Sequence, residues 1–199
     1  MTKRENVFAL FDAYNEKDPR KIEWEGISYA VEHFYALQLY NWVIKLKPDA
    51  QEPLLLASRC QHIGRWQITR SQYPKGKVGY FTWRHTLAKF HAETAGALLA
   101  EGGYDATTIK LVQRILLKEQ LINNGDVQVM ENALCLVFLQ FQYEDFLSTH
   151  DEEMIMKILK TSWNKMDEQG REAALKLTYS EKGKALLEKA LDLNKAING

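Results

Sequence analysis

Apolar residues recur at three- and four-residue spacing along most of this chain, and stretches in which they alternate with polar residues are almost missing. Such a pattern predicts helices joined by linkers, without strands. A first helix is expected over Arg4 to Tyr14, stopping near Lys17-Asp18-Pro19, and a long second one over Trp24 to Lys45, ending before Pro48. Asp49 with Glu52 has the spacing of a capping box for a third helix through Cys60, with Gly64 placed to terminate it. After a loop over Trp66 to Gly79, a fourth helix is expected over Tyr80 to Glu101, stopped by Gly102-Gly103. Asp105 can cap a fifth, Thr107 to Gln120, which leads through the turn Asn123-Asn124-Gly125-Asp126 into a sixth, Val127 to Leu147. That helix is apolar on nearly every side, as a buried central helix is. Thr149 with Glu152 suggests a capping box for a seventh, ending near Met166, and two weaker amphipathic segments finish the chain.

At 199 residues a chain can bury a core without disulfides or metal staples, and one domain over 1–199 is the expectation. No window approaches the roughly 18 consecutive apolar residues of a membrane span. The first residues open directly into an amphipathic pattern with Phe8, Leu10 and Phe11 and lack the apolar core of a secretory signal, so a cytoplasmic protein is expected. Cys60 and Cys135 each fall in an apolar helical pattern and form no CxxC pair, which reads as two reduced core thiols.

Formal charge is zero, which argues against a surface coated overall for nucleic acid. Locally the balance is lost. Between Glu52 and Glu93 there is no acidic residue, while Arg59, Arg65, Arg70, Lys75, Lys77, Arg84 and Lys89 fall there. Guanidinium forks hold phosphate or carboxylate through paired hydrogen bonds, so Arg65, Arg70 and Arg84 form a candidate anion clamp. Trp66, Tyr73, Tyr80 and Trp83 interleave with them, a mixture that also suits a stacked base. A solvated basic loop whose aromatics plug the core is the plainer alternative. His91 follows Arg84 by seven residues and shares its helix flank, and His62 lies at a helix end just before Arg65. Both are candidate functional groups, whereas His33 and His85 have no such company and read as surface or packing residues.

The sixth helix carries a polar line, Gln128, Glu131, Cys135 and Gln142 with Asn132 adjacent, inside its apolar coat. Buried polar groups need partners, and a buried Glu131 is expected to meet an arginine, a histidine or a metal ion. His150-Asp151 matches the dipeptide that names the HD phosphohydrolases, yet its position at a helix start gives it a mainly structural, capping explanation.

The segments Arg59 to Trp66, Gly79-Tyr80, Trp83-Arg84 and Phe90 to Gly96 identify a resemblance to the domain of unknown function 4202 family. It continues through Glu131-Asn132-Ala133, Cys135 to Leu139, His150 to Glu153 and Thr161-Ser162-Trp163, over nearly the whole length. The Cys60 to Arg65 and His91 to Gly96 stretches are also similar to those of HD-type helical phosphohydrolases, which bind a divalent metal ion through a histidine, a His-Asp pair and a distant aspartate. In this chain Tyr35 stands near the first histidine, Gln61-His62 in place of His-Asp, and Glu131 or Asn132 near the last aspartate. That resemblance implies an all-α, compact, HD-like helical bundle, with His62, His91 and Glu131 as metal ligands or acid–base groups around a divalent metal cofactor.

The leading functional expectation is therefore an HD-like, metal-dependent hydrolase acting on a phosphorylated small molecule or nucleotide. His62, His91 and Glu131 would be catalytic, and Arg65, Trp66, Arg70, Tyr80 and Arg84 would bind substrate. The alternatives are a non-catalytic module binding an anion or nucleotide, and RNA or single-stranded DNA binding along the basic aromatic loop. Whether Tyr35, Lys118 and His150 join the site is left for the fold to decide.

Overall fold

Thr2 and Glu5 form a reciprocal capping box, the Thr2 side chain accepting from the Glu5 N–H at 3.2 Å, and this starts α1 (Lys3–Asn15). The computed structural model describes residues 2–119 and 125–195. Past α1, Arg20 binds the Asp18 carboxylate at 2.7 Å and the Glu32 carboxylate at 2.8 Å, clamping the two ends of a short hairpin. The hairpin pairs β1 (Lys21–Trp24) with β2 (Ile27–Ala30), antiparallel, with Trp24 opposite Ile27. Its loop is Glu25-Gly26, at φ 51° and 78°, the two positive values that a type I′ turn demands.

This corrects the strand-free expectation and moves the start of the second helix from Trp24 to Val31, giving α2 (Val31–Leu46). The signal was present, because Ile22, Trp24, Ile27 and Tyr29 alternate with polar neighbours across Glu25-Gly26.

Helix α3 (Glu52–Cys60) begins one residue after Gln51, with Pro53 in its first turn, so Asp49 is not its cap. Three residues past Gln61 the chain turns at Gly64, φ 67°, where a Cβ would come within 2.8 Å of the Phe90 ring, and only glycine meets both demands. Two single-turn helices, Arg65–Gln67 and Arg70–Gln72, cross the predicted loop. α4 (Lys77–Glu101) starts three residues earlier than expected. Asp105 caps α5 (Ala106–Leu116) as expected, its carboxylate accepting from the Thr108 N–H at 2.9 Å. The expected end of that helix at Gln120 and the turn at Asn123-Asn124 lie outside the described residues.

The chain divides into two compact units, Met1–Val127 and Gln128–Gly199. In the first, α1 to α5 enclose a core that includes Phe11, Phe34, Leu54, Leu56, Ile63, Leu99 and Val112, with α4 against α5 and α3 against α2 and α5.

Helix α6 (Gly125–Phe141) carries the chain into the second unit. The single helix expected over Val127 to Leu147 breaks at Gln142, where φ is −125°, and resumes as α7 (Tyr143–Thr149). The break accompanies burial of Tyr143, whose hydroxyl donates to the Gly183 carbonyl at 3.0 Å. α8 (Glu152–Lys165), α9 (Glu168–Leu175) and α10 (Glu181–Lys195) complete the unit, and α10 packs on α7 and α8. Among the described residues the protein is thus all-α apart from one hairpin, and no helix is long and apolar enough to cross a membrane.

Candidate anion site

The end of α3, one face of α4 and the residues just past α5 meet around a cavity of about 80 Å³. A single water needs roughly 10–15 Å³ measured the same way, so this space suits a group of several heavy atoms. Gln61, His62 and Arg65 come from the segment that follows α3, Arg84, Leu87, Ala88 and His91 from α4, Leu116 from the end of α5, and Leu117 and Lys118 from just beyond it. Arg84, Leu87, Ala88 and His91 recur at helical spacing, which is why one face of α4 supplies four of them. Lys118 adopts φ 57°, uncommon for a side chain other than glycine or asparagine, at the point where the chain leaves α5.

Among the described residues the wall carries Arg65, Arg84 and Lys118 and no carboxylate. Arg65 lies over the Trp83 ring, 5.7 Å from its centre, and neither its guanidinium nor that of Arg84 hydrogen-bonds or ion-pairs with a carboxylate among the described residues. Burial lowers the Arg65 pKa, with Arg84 adding to the effect and the buried Glu32 opposing it. Other arginines of the first unit are committed: Arg20 to Asp18 and Glu32, and Arg59 to Asp12, with its plane against Phe8 and Tyr40.

Two imidazoles complete the wall, their ring centres 5.9 Å apart. His91 is 4% exposed, and its Nδ1 lies 2.7 Å from the Ile63 carbonyl oxygen. Burial, outweighing that contact and helped by Arg65 and Arg84, drops its pKa to about 4. The ring is therefore neutral at pH 7. A carbonyl only accepts, so Nδ1 carries the proton and Nε2 is left as a bare acceptor. His62 is held well below its ordinary pKa by burial first, then by Arg65, His91, Arg84 and Lys118.

Gln61, also 4% exposed, donates from Nε2 to the Leu116 carbonyl at 3.4 Å, while its Oε1 is buried without a hydrogen-bond partner. Gln61 and His62 also wall a second space of about 10 Å³, shared with Asn15, Glu32, Tyr35 and Ser58. It is at the lower limit for one water. Tyr35 thus borders this smaller space and Lys118 the larger one. Burial raises the Glu32 pKa against the pull of Arg65 and Arg20. Glu32 was missed from sequence because the hairpin that presents it was read as helix.

Trp66, Arg70 and Tyr80 are not among the residues lining this cavity. Trp66 packs on Tyr14 at 6.1 Å between ring centres, and Arg70 donates to the Tyr73 and Gly76 carbonyls at 2.9 and 3.4 Å, stitching its own loop. Tyr80 is 45% exposed beside Phe81 and Trp83. His33, read as a surface or packing residue, sits 3.7 Å from Asp12 and 3.6 Å from Glu16.

Glu131 belongs to the second unit, 4% exposed, and the Lys165 ammonium lies 4.0 Å from its carboxylate. His150 stacks on Phe146 at 3.8 Å, and Asp151, rather than Thr149, caps α8 through the Met154 N–H at 2.8 Å. The His-Asp dipeptide is spent on local structure. Among the described residues no three of His, Cys, Asp and Glu are grouped to hold a metal ion.

No curated protein and no solved structure matches this chain. One family model does, over residues 5–187, and it spans nearly all of the sequence. The chain belongs to the family described as domain of unknown function (DUF4202).

Proposed function

We propose that the protein binds a phosphorylated small molecule or nucleotide, in the cytoplasm, by lodging its terminal phosphoryl group in the cavity between Arg65, Arg84 and Lys118. The observation that carries this reading is an acid-free cavity wall with three cations, of which the Arg65 and Arg84 guanidinia hold no carboxylate among the described residues. Like charges brought together at a half-buried site repel one another, and an anion removes that cost. The neutral His62 and His91 offer hydrogen-bonding groups at the same wall.

Hydrolysis of the bound ester is the catalytic form of this reading. His91 Nε2, fixed in tautomer by Ile63, would accept a hydrogen bond from a water molecule and orient it. Thermal unfolding with inorganic phosphate, nucleotides and sugar phosphates tests binding: a saturable rise in Tm is expected and is lost in Arg65→Gln/Arg84→Gln. No response to any of these anions would refute the reading. Release of phosphate from the same panel, with and without divalent ions, separates a hydrolase from a binding module.

A second reading draws on the exposed Val78, Tyr80 and Phe81 beside Lys77, a basic aromatic surface suited to single-stranded nucleic acid. Affinity for an oligonucleotide that falls steeply with salt would support it, and a flat salt response would dismiss it.

A further inference from the structure

An anion site built only from cations would treat phosphate and sulfate alike, since the two share shape and, at pH 8, charge. This wall contains fixed acceptors as well. The Ile63 carbonyl commits the His91 proton to Nδ1 at 2.7 Å, which leaves Nε2 as a lone pair at the cavity. The other neutral tautomer would set a lone pair against that carbonyl, so the proton stays on Nδ1. Gln61 repeats the device: its Nε2 is held by the Leu116 carbonyl, and turning the amide would set two oxygens against each other, so Oε1 stays an acceptor. His62, with neither nitrogen bonded to the described residues, can present either tautomer and supply the donor that an anion wants.

We infer that the site selects tetrahedral anions that carry a proton, hydrogen phosphate or a phosphomonoester held as its monoanion, over fully ionised isosteres such as sulfate, with His91 as the selecting acceptor. The inference rests on the anion-site reading above and specifies its ligand. Hydrogen phosphate would direct its O–H to His91 Nε2 and its other oxygens to Arg65, Arg84 and Lys118. Sulfate has no proton to offer, and its oxygen would face the same lone pair. A neutral imidazole favours this outcome, because burial disfavours the charged form that could accept sulfate.

The test is calorimetric titration of the full chain at pH 8 with sodium phosphate and, separately, sodium sulfate at equal ionic strength. Phosphate is expected to bind at least about tenfold more tightly, the scale of one hydrogen bond at a charged ligand. In His91→Gln the amide can turn its NH₂ to the anion, and the ratio is expected to fall toward one. Should that variant not fold, the wild-type ratio still decides the matter. So does the ¹⁵N resonance of His91 Nε2 in the phosphate complex, expected to be unprotonated. Equal affinity for the two anions, or a protonated Nε2 in the complex, would overturn the selection while leaving the anion site standing. Binding of neither anion would overturn both.

Discussion

The wall of the cavity in the first unit and the polar line along α6 in the second are both partly buried clusters of polar side chains, and they are satisfied in opposite ways. Along α6 Gln128 and Asn132 are tied into a chain of partners: Gln128 donates to Asn132 Oδ1 at 3.1 Å and to the Lys165 carbonyl at 2.9 Å. Asn132 donates to Asp167 at 2.7 Å and accepts from the Asp167 N–H at 3.2 Å, and Cys135 reaches the Ser162 carbonyl. Gly170 has no room for a Cβ, which would sit 2.6 Å from Asn132 Oδ1. In the first unit the Arg65 and Arg84 guanidinia converge on one wall with no carboxylate bound to either among the described residues, and the Nε2 of His91 makes no hydrogen bond to them. A polar cluster closed on itself stabilises a fold, whereas one left open awaits a ligand.

That contrast is broken or sharpened by perturbing each cluster and reading both stability and binding. Asn132→Ala strips partners from Gln128 and Asp167 at once and is expected to cost about 3 kcal/mol in denaturant unfolding, with phosphate affinity unchanged. Unaltered stability would mean that the α6 line is not structural. Acid acts on the other cluster. His91 binds its proton less readily folded than unfolded, so its contribution is present above about pH 6.5 and is lost as the pH falls toward about 4. The decline from this residue should be on the order of 2–3 kcal/mol and should be smaller in His91→Gln. Equal acid sensitivity of the two proteins would count against a buried neutral imidazole.

Arg65→Gln and Arg84→Gln should each weaken phosphate binding about tenfold, near 1.4 kcal/mol, without lowering the stability of the ligand-free protein. Destabilisation by either would show these cations to be structural, like Arg59. Asp151→Ala should have the smallest effect, about 1 kcal/mol from the lost α8 cap, with anion binding intact. Loss of binding there would restore the His-Asp dipeptide to the site.

Most helices were legible because apolar periodicity and cap residues are local signals; Asp105 and the Gly102-Gly103 stop lie where expected. The hairpin was not, because Ile22, Trp24, Ile27 and Tyr29 are few and adjoin a strongly helical run. Charge asymmetry located the basic wall, yet spacing alone could not separate Arg65 and Arg84 at the cavity from Arg59 on Asp12 or Arg70 on its own loop. That sorting depends on partners distant in sequence. Lys118 and Gln61 reach the wall because α5 packs on α3 and α4, and Glu131, grouped with the histidines through the HD resemblance, has Lys165 beside its carboxylate. The His91 tautomer likewise depends on a carbonyl 28 residues away.

The most direct measurement is a crystal structure of the protein grown with phosphate. Tetrahedral density is expected between the Arg65 and Arg84 guanidinia, with one oxygen within hydrogen-bond distance of His91 Nε2. A cavity holding only water at saturating phosphate, or guanidinia turned onto carboxylates, would contradict the anion site.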